Sequence, residues 1–531
     1  MFGVELLAAA GFASYQPAPL TAPTPAPAGA VCSVTLFRDR PFIGDAPFFA
    51  QYTPRCAGPW SKIVLRLDTR IKGTQYDRVG AIWIDRAELM RFTTAEPTKR
   101  GIAYAVEKDV TELAPLFTSP GAVTVSLANY VSKRYDGVYR LTARLRFYGV
   151  TQRAGRAHTP DRVVAVQDDS AAIPWAPSGR LQSRLPPLPR NIVGARLQLY
   201  ATNHACDEFW YTNVPDAYAA AHKADGLCGG GSYREIDVAI DGRPASVVYP
   251  FPYIWTGGIN PLLWRPLPAI DALNVPPYDV DLDPWAGVLA DGRTHTISIA
   301  VLGSRGTWPV DGNLLLWRDP RAVRTGGEIA HDDFAPPRVF TAQHLDRSGG
   351  TLLQTAIANW QVTGFVDTPR GRVEHTVRTE MHFENRQTLD LPRGVQNASQ
   401  ETTISTTVEV RRGARLHKET VLARYPILAD TVSPPVPPGS PDAFTILAAV
   451  HQVRETKSRS ASCVFSVDAR AALTRRKNGT DRVERGRTAE RASCSGPRSF
   501  TVLASARDGA PVSPTAKRRS QWKSNRRTWE R

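Results

Sequence analysis

Short runs in which apolar and polar residues alternate dominate this chain. Clear examples are SKIVLRLD from Ser61, YRLTARLRFYGV from Tyr139, ARLQLYATN from Ala195, REIDVAIDG from Arg234 and THTISIAVLG from Thr294. Because successive side chains of a β-strand point to opposite faces, this period of two predicts half-buried strands. Pro, Gly, Asn and Asp separate the runs, and long helical periodicity is scarce. The pattern therefore predicts an all-β fold of jelly-roll or β-sandwich domains.

The chain has 531 residues, which is too many for one hydrophobic core. The runs group into two consecutive jelly-roll or β-sandwich domains, 31–175 and 188–325, and a further β-rich region, 326–453, to which we assign a supporting role. The polar and Pro-rich run between the first two domains is predicted to be a linker. Residues 1–30 are apolar and then Pro-rich, which indicates an incomplete signal followed by a linker.

The net charge of +16 is concentrated at the C-terminus. From residue 454 onward there are 20 Lys and Arg against 7 Asp and Glu, so the rest of the chain is nearly neutral. We interpret 454–531 as a basic, disordered tail. A polybasic binding tail is the sharper alternative. Since the surplus charge lies outside the predicted domains, no nucleic-acid partner is expected.

The six cysteines include no CxxC pair, so no metal site is predicted. An even number in a Pro-rich β chain suits an oxidising compartment. We predict two disulfides that close local loops, Cys32–Cys56 and Cys206–Cys228, whereas Cys463 and Cys494 fall in the basic tail. With no apolar stretch of about 18 residues, no membrane span is expected. These features favour a secreted or vacuolar protein.

Candidate chemistry begins at Tyr76-Asp77-Arg78, just before the apolar strand VGAIWI. A carboxylate beside a guanidinium at the mouth of a buried strand is either a surface ion pair or part of a site. P-loop, GxGxxG, HExxH and GxSxG motifs are absent from the sequence. No phosphate-binding, dinucleotide-binding, zinc-protease or serine-hydrolase signature therefore competes with this pair.

A second candidate is the loop TNHACDEFWYTNVPDAY from Thr202, which combines Asp207, Glu208, Trp210 and Tyr211. Carboxylates beside bulky rings are partly desolvated, which raises their pKa and suits them to proton transfer. The alternative is a strand end whose aromatic residues are simply core.

A third candidate is the loop VVYPFPYIWTGGINPLLWRPL, with Trp255 and Trp264 crowded among prolines. Gly257 and Gly258 allow close backbone approach. Stiffened aromatic rings suit stacking on sugars, although a Pro-rich plug in a domain interface is an equal alternative.

At these same strings the chain resembles a known family. QYDRVGAIWI, AELMRFTTAEPT, DEFWYTNVPDAY, GGGSYREIDVAIDG and YPFPYIWTGGINPLLWRPL resemble, in the same order, the acidic peptide-N-glycanase family of plants and fungi, the peptide-N4-(N-acetyl-β-glucosaminyl)asparagine amidase A type. The likeness runs from about residue 32 to 319 and is weaker to about 453.

This family is distantly similar to the bacterial peptide-N-glycosidase F, a pair of eight-stranded jelly rolls with the active site between them. By that resemblance Asp77 is the main catalytic residue, with Arg78 at its side, and Glu208 binds and positions the substrate. A third acid of the relative falls at Asn129 here, which implies a neutral contact or the loss of that role. Asp207, Trp210, Tyr211, Trp255 and Trp264 are the expected substrate-binding residues.

The implied reaction is hydrolysis, at acidic pH and without a cofactor, of the amide that joins N-acetylglucosamine to an asparagine side chain. N-glycosylated peptides or denatured glycoproteins are the expected partners, and a monomer is the expected state. A non-catalytic glycan-binding jelly-roll protein and a glycoside hydrolase are the alternatives. A glycoside hydrolase needs two carboxylates that flank a glycosidic bond.

Overall fold

The computed structural model describes residues 17–18, 24–27, 31–151, 157–167, 175–434, 444–475, 481–496, 498–507, 510–511 and 521–522. Over these residues the chain is built from antiparallel β-strands, which confirms the all-β prediction. Two short α-helices are present, α1 (Asp216–Ala221) and α2 (Ala286–Leu289). Single 3-10 turns lie at Thr111–Phe117, Ala205–Asp207, Trp210–Thr212, Lys223–Asp225, Pro261–Trp264, Asp283–Trp285 and Leu391–Arg393.

The first eight strands form a jelly roll. Their bounds are β1 (Val31–Pro41), β2 (Phe48–Tyr52), β3 (Trp60–Ile71), β4 (Val79–Ile84), β5 (Ala87–Thr93), β6 (Ile102–Asp109), β7 (Gly121–Leu127) and β8 (Arg140–Gly149). They make two sheets of order β1-β8-β3-β6 and β2-β7-β4-β5. Inward residues of both sheets, such as Leu65, Leu145, Ile82 and Val125, share one core.

The next eight strands repeat this topology. They are β9 (Arg162–Val166), β10 (Arg180–Arg184), β11 (Ile192–Ala201), β12 (Glu235–Ile240), β13 (Arg243–Val248), β14 (Tyr278–Asp281), β15 (Thr296–Leu302) and β16 (Val310–Arg318). The sheet orders are β9-β16-β11-β14 and β10-β15-β12-β13, the same arrangement as in the first eight strands. The protein therefore contains two consecutive jelly rolls.

The predicted boundary between these domains is wrong. β9 was assigned to the first domain (31–175), and β10 to the linker before the second (188–325), yet β9 pairs with β16 and β10 pairs with β15. Both are edge strands of the second jelly roll. Polar and Pro-rich flanks are tolerated beside an edge strand, which is why the composition there indicated a linker.

A large sheet follows the two jelly rolls. Its strands are β17 (Ile329–Phe334), β18 (Arg338–Asp346), β19 (Gly349–Thr368), β20 (Gly371–Asp390), β21 (Val395–Arg412), β22 (Arg415–Arg424), β23 (Ile427–Val432), β24 (Phe444–Lys457), β25 (Ser462–Arg475), β26 (Asp481–Ser495), β27 (Arg498–Arg507), β28 (Ala510–Pro511) and β29 (Gln521–Trp522). Neighbouring strands from β19 to β27 are antiparallel. The region 326–453 is thus β-rich as predicted, but its sheet continues beyond 453.

The prediction of a disordered tail from residue 454 is therefore wrong where the structure describes it. β25 and β26 turn Phe465, Val467, Ala469 and Ala492 inward, where all four are buried. Burial of these small and apolar residues stabilises the sheet despite the exposed arginines on its other face. The last residues of the predicted tail, 523–531, lie outside the described residues.

Both predicted disulfides, Cys32–Cys56 and Cys206–Cys228, are present. A third bond, Cys463–Cys494, links β25 to β26. Three disulfides indicate an extracytoplasmic protein. Within the described residues, no helix is both long and apolar enough to span a bilayer. The proposed signal in residues 1–30 falls largely outside the described residues.

A buried polar network joins the two jelly rolls. Arg91 of β5 is fully buried and forms a bidentate pair with Glu88. The same guanidinium donates to Thr202 Oγ1 at 3.1 Å and to the Pro309 carbonyl at 2.8 Å. From the first jelly roll, Trp83 Nε1 donates to Asp311 Oδ2 at 2.7 Å. Because these buried groups all have hydrogen-bond partners across the junction, they fix the orientation of the two jelly rolls relative to each other.

Candidate active site

Asp77 lies at the junction of the two jelly rolls, two residues before β4. Its Oδ2 accepts a hydrogen bond of 2.8 Å from the backbone N–H of Gly257, which belongs to the loop between β13 and β14. A Cβ atom at position 257 would lie 2.7 Å from Asp77 Oδ1, so only glycine allows this approach. The first and third candidate segments therefore meet at this carboxylate.

Glu208 comes from the second candidate segment, directly after the 3-10 turn at Ala205–Asp207, and is partly buried. Burial raises the pKa of Glu208 to about 8, and the charge of Asp77 adds to the effect. Asn203 Nδ2 donates to the Glu208 carbonyl at 2.7 Å and to the Tyr253 carbonyl at 3.3 Å. The second candidate segment therefore contacts the same loop, between β13 and β14, that holds Asp77 through Gly257.

The two acids differ in what surrounds them. Burial also raises the pKa of Asp77, but the N–H groups of Gly257 and of Asp77 itself and the charge of Arg78 act in the opposite direction. The shift of Glu208 has no such opposing donor. Asp77 therefore has donors that favour its ionised form, whereas the surroundings of Glu208 favour its protonated form.

Glu96, three residues after β5, is a third acid at this junction that sequence reasoning missed. Its Oε2 accepts from Arg265 Nη2 at 2.7 Å, and its backbone N–H donates to Thr256 Oγ1 at 2.9 Å. Burial raises the pKa of Glu96 to about 7; Arg265 lowers this pKa and Asp77 raises it. The register of β4 and β5 would have indicated that Glu96 lies near Asp77, because Val79 pairs with Thr93. Residues just before β4 and just after β5 must lie at the same end of the hairpin.

Arg78 is not the partner of Asp77 that the sequence suggested. Its Nη2 donates to Gln75 Oε1 at 2.6 Å, and its guanidinium carbon lies 5.6 Å from the ring centroid of Tyr76 and 6.0 Å from that of Tyr130. Of the ion pairs between described residues, none joins Arg78 to Asp77. Arg78 acts on Asp77 through its charge, not through a hydrogen bond.

Asp207 is a structural residue, which contradicts the prediction that it binds substrate. Its side chain is fully buried and accepts hydrogen bonds from Arg234 Nη2 at 2.7 Å, Trp308 Nε1 at 2.6 Å and Asn213 Nδ2 at 3.1 Å. These donors, Arg234 above all, overcome the effect of burial and lower the pKa of Asp207. Since its oxygens are occupied by protein donors, Asp207 is closed to a substrate.

The aromatic residues predicted as sugar platforms are core residues. Trp210, Tyr211, Trp255 and Trp264 are each at most 2% exposed. The indole N–H of Trp255 donates to the Asn203 carbonyl at 2.8 Å and that of Trp264 to the Gly258 carbonyl at 2.9 Å. Large rings at a domain junction bury more apolar area than any other residue, and this outweighs a surface role here. The alternative of an aromatic plug in the interface is therefore the correct one.

Asn129 is enclosed by the protein. It is fully buried, and its Nδ2 donates to the carbonyls of Phe42 and Gly137 at 3.0 and 3.1 Å. Its role is to hold two loops together, so the neutral substrate contact implied by the resemblance is not available.

Three other rings are available instead. Tyr76 is 46% exposed and Tyr130 is 55% exposed. The partly exposed ring of Tyr135 lies with its centroid 4.4 Å from that of Tyr76, and the two hydroxyls are hydrogen-bonded. The Arg78 guanidinium lies beside the rings of both Tyr76 and Tyr130, and the charge of Glu96 raises the pKa of Tyr76. We therefore place this tyrosine cluster (Tyr76, Tyr130 and Tyr135) next to the carboxyl groups.

The geometry thus combines carboxyl groups at the junction of the jelly rolls with exposed tyrosine rings. Such an arrangement suits proton transfer to and from a polar substrate whose apolar faces rest on aromatic rings. Among the described residues, no group of three or more His, Cys, Asp or Glu side chains is arranged to hold a metal ion.

Comparison with known proteins decides the family. A family model described as peptide N-acetyl-beta-D-glucosaminyl asparaginase amidase A matches residues 22–334, more than half of the chain. The chain belongs to this family. The predicted resemblance is therefore confirmed.

A curated member of this family, peptide-N4-(N-acetyl-beta-glucosaminyl)asparagine amidase A of Prunus dulcis, is 32% identical over 378 residues. The alignment covers 67% of this chain and 66% of the relative, so the chain spans about two thirds of that protein's length. Solved structures are more remote. PNGF-II is 14% identical with a TM-score of 0.37 over 55% of this chain and 66% of its own. PNGase F, a glycosylasparaginase from Flavobacterium meningosepticum, is 15% identical with a TM-score of 0.34 over 54% of this chain and 96% of its own.

Proposed function

We propose that the protein is a glycoamidase that hydrolyses the amide between N-acetylglucosamine and the asparagine side chain of N-glycosylated peptides. The observation that carries the proposal is the meeting of Asp77 and Glu208 at the junction of the jelly rolls, with Gly257 holding Asp77. Membership of the amidase A family and the printed activity of the Prunus relative support the same chemistry.

In this proposal the ionised Asp77 removes a proton from water, which attacks the carbonyl carbon of the asparagine side chain. The amide bond between that carbonyl carbon and the nitrogen breaks as Glu208 donates its proton to the leaving nitrogen, which stays attached to C1 of the sugar. The peptide keeps an aspartate, and a 1-amino sugar departs. Amides are poor electrophiles, so both a base for water and an acid for nitrogen are required. The environments of the two acids supply that division of roles.

Glu96, Arg265 and Arg78 complete the site in this proposal. Glu96 takes the place of the third acid that the resemblance did not supply at Asn129, and it hydrogen-bonds a polar group of the sugar while Arg265 fixes its orientation. The guanidinium of Arg78, held by Gln75, stabilises negative charge that develops on the carbonyl oxygen.

One glycopeptide distinguishes this reaction from its alternatives. The purified protein is incubated with a peptide that carries a single N-glycan, and the peptide mass is followed. Loss of the whole glycan with a gain of one mass unit over the asparagine peptide is the expected result, since Asn becomes Asp. A peptide that retains one N-acetylglucosamine indicates a glycoside hydrolase, and bound but intact glycopeptide indicates a binding protein. Either of these two outcomes overturns the proposal.

The pH dependence of kcat/KM is expected to reflect Glu208. Because Glu208 must hold its proton and its pKa is about 8, kcat/KM falls as the pH rises above about 8. Glu208→Gln removes this alkaline limb, because glutamine does not titrate, and lowers kcat about a hundredfold. Glu380→Gln changes a carboxyl that is 45% exposed in a surface ion pair with Arg378; it serves as the matched control and keeps the wild-type profile. An alkaline limb that persists unchanged in Glu208→Gln contradicts the assignment.

The tyrosine cluster is expected to affect substrate binding more than chemistry. Tyr76→Ala and Tyr130→Ala each remove an exposed ring, and each raises KM about tenfold with a smaller change in kcat. Tyr76→Phe keeps the ring and retains most of the affinity. Phe340→Ala, which removes a ring that is 61% exposed on β18, is the control. Steady-state kinetics with one glycopeptide measure all four variants, and an unchanged KM in both alanine variants contradicts the role.

A further inference from the structure

The outer face of the C-terminal sheet carries a row of three arginines. Arg470 of β25 pairs in register with Arg487 of β26, which in turn pairs with Arg507 of β27. Residues directly opposite each other in neighbouring strands project from the same face, roughly 5 Å apart. All three side chains are exposed. We call these residues the arginine row.

The arginine row places three like charges side by side on one face. Like charges directly opposite each other destabilise a sheet. Of the ion pairs between described residues, none involves the arginine row. Asp430 of β23 lies two strands away from Arg470 in the same cross-strand line. Ala449 of β24 lies between them, since Asp430 pairs with Ala449 and Ala449 pairs with Arg470. Asp468, one row away, is paired with His451 at 2.7 Å. An anion from outside the protein is complementary in charge to these three guanidinium groups.

The sheet also leaves space for that anion. A depression of about 720 Å³ lies in front of the arginine row, and Ala449, Ala472 and Gly486 are among its other lining residues. Small side chains at these positions let a ligand approach the sheet closely enough to meet the guanidiniums. Guanidinium groups bind carboxylates and sulfates in bidentate geometry.

The platform behind the arginine row is fixed. On the opposite face, Thr488 Oγ1 donates to the Leu263 carbonyl at 2.7 Å, and Cys463–Cys494 joins β25 to β26. The disulfide holds the register that places Arg470 opposite Arg487. The loop between β13 and β14, which contains Gly257 and Leu263, contacts the inner face of this sheet. The arginine row therefore points away from the cleft, and a ligand bound there leaves the cleft open.

We propose that the arginine row is a docking site for an extended acidic polysaccharide with one carboxylate on each sugar ring. A linear polymer of this kind repeats its carboxylates along the chain, so one molecule offers an anion to each of the three arginines. Three disulfides favour a compartment where such polymers occur, and where nucleic acid is scarce. The site anchors the enzyme without occupying its cleft, and it does not depend on the proposed amidase reaction.

The test measures binding of the full chain to polygalacturonate and to fully methyl-esterified polygalacturonate, which has the same backbone without charge. We expect the wild type to bind only the charged polymer, with affinity that falls as salt rises. The triple variant Arg470→Gln, Arg487→Gln, Arg507→Gln is expected to bind at least about tenfold more weakly. The matched control, Arg338→Gln, Arg370→Gln, Arg459→Gln, changes the net charge equally at exposed positions and is expected to bind as the wild type does.

Two further measurements make the result decisive. Both triple variants should keep the wild-type melting temperature and glycopeptide turnover, because no residue of the arginine row lies in the cleft. Equal losses of binding in the two variants, or binding to the esterified polymer, overturn the proposal. Displacement of the protein from polygalacturonate by duplex DNA at equal charge concentration also overturns it, since that result indicates a general polyanion surface.

Discussion

Asp77→Asn is expected to lower kcat/KM toward a glycopeptide by at least about a thousandfold. Asparagine cannot accept a proton from the attacking water, so the base is lost. Its side-chain oxygen can still accept the hydrogen bond from Gly257, and the shape of the site is retained. We therefore expect a melting temperature within a few degrees of the wild type. Product formation is followed by peptide mass and folding by thermal unfolding.

The exposed Asp333→Asn is the control for a general loss of one carboxylate. Its kcat/KM should equal that of the wild type. If Asp77→Asn retains full activity in a folded protein, Asp77 is not the base. If the variant is inactive and also unfolded, a repeat with Gly257→Ala decides the point. An added Cβ presses on Asp77 and is expected to reduce kcat with the carboxylate still present.

Asp207→Ala is expected to lower the free energy of unfolding by about 3–5 kcal/mol. The change leaves Arg234, which is fully buried, without its carboxylate, and it deprives Trp308 Nε1 of an acceptor. The neighbouring Glu208→Gln, by contrast, should leave stability unchanged or slightly higher, since it removes a carboxyl whose charged form is disfavoured by burial. Urea titration of both variants at pH 7 measures the difference between two adjacent acids.

Asp216→Asn is the matched control, because its ion pair with Arg305 is solvent-exposed. A change within about 1 kcal/mol is expected there. The lowered pKa of Asp207 determines how its contribution to the free energy of unfolding changes with pH. The stabilisation is complete above about pH 4 and is lost only as the pH falls through the lower folded-state pKa. A small effect of Asp207→Ala at pH 7 would contradict the buried-pair role.

Period-two alternation was sufficient to predict the all-β class, because each run has one face in a jelly-roll core. The same alternation is present in SCVFSVDARAALTR, where every second residue from Cys463 to Leu473 faces inward. Asp468 and Arg470 are among its outward residues, and the charge surplus of the whole segment after residue 454 pointed to disorder. Net charge describes only the exposed face of such a strand, and small inward residues such as Ala469 add little to a hydropathy signal.

The sequence singled out two of the acids at the candidate site, Asp77 and Glu208, but misassigned Asp207, missed Glu96 and did not place the rings. Asp77 and Glu208 could be named because each follows from a local motif and a family resemblance. Whether Trp255 faces a cleft or a core depends on how three distant segments pack, and that is absent from any local pattern. Tyr76 and Tyr130 were passed over since tyrosine next to polar residues is common on surfaces. Glu96 required the strand register, which pairs Val79 with Thr93.

The loop that holds Asp77 is itself held by strands far along the chain. Gln452 Nε2 donates to the Pro252 carbonyl at 2.7 Å, Asn260 Nδ2 donates to the Ile446 carbonyl at 3.2 Å, and Arg454 pairs with Asp271. The family match ends at residue 334, well before these supports. A recombinant protein shortened to the matched region would retain every carboxyl of the cleft and lose the buttress behind Gly257. Expression boundaries drawn from homology alone would therefore yield a protein that keeps the carboxyl groups of the candidate site but lacks the strands that hold the Gly257 loop in place.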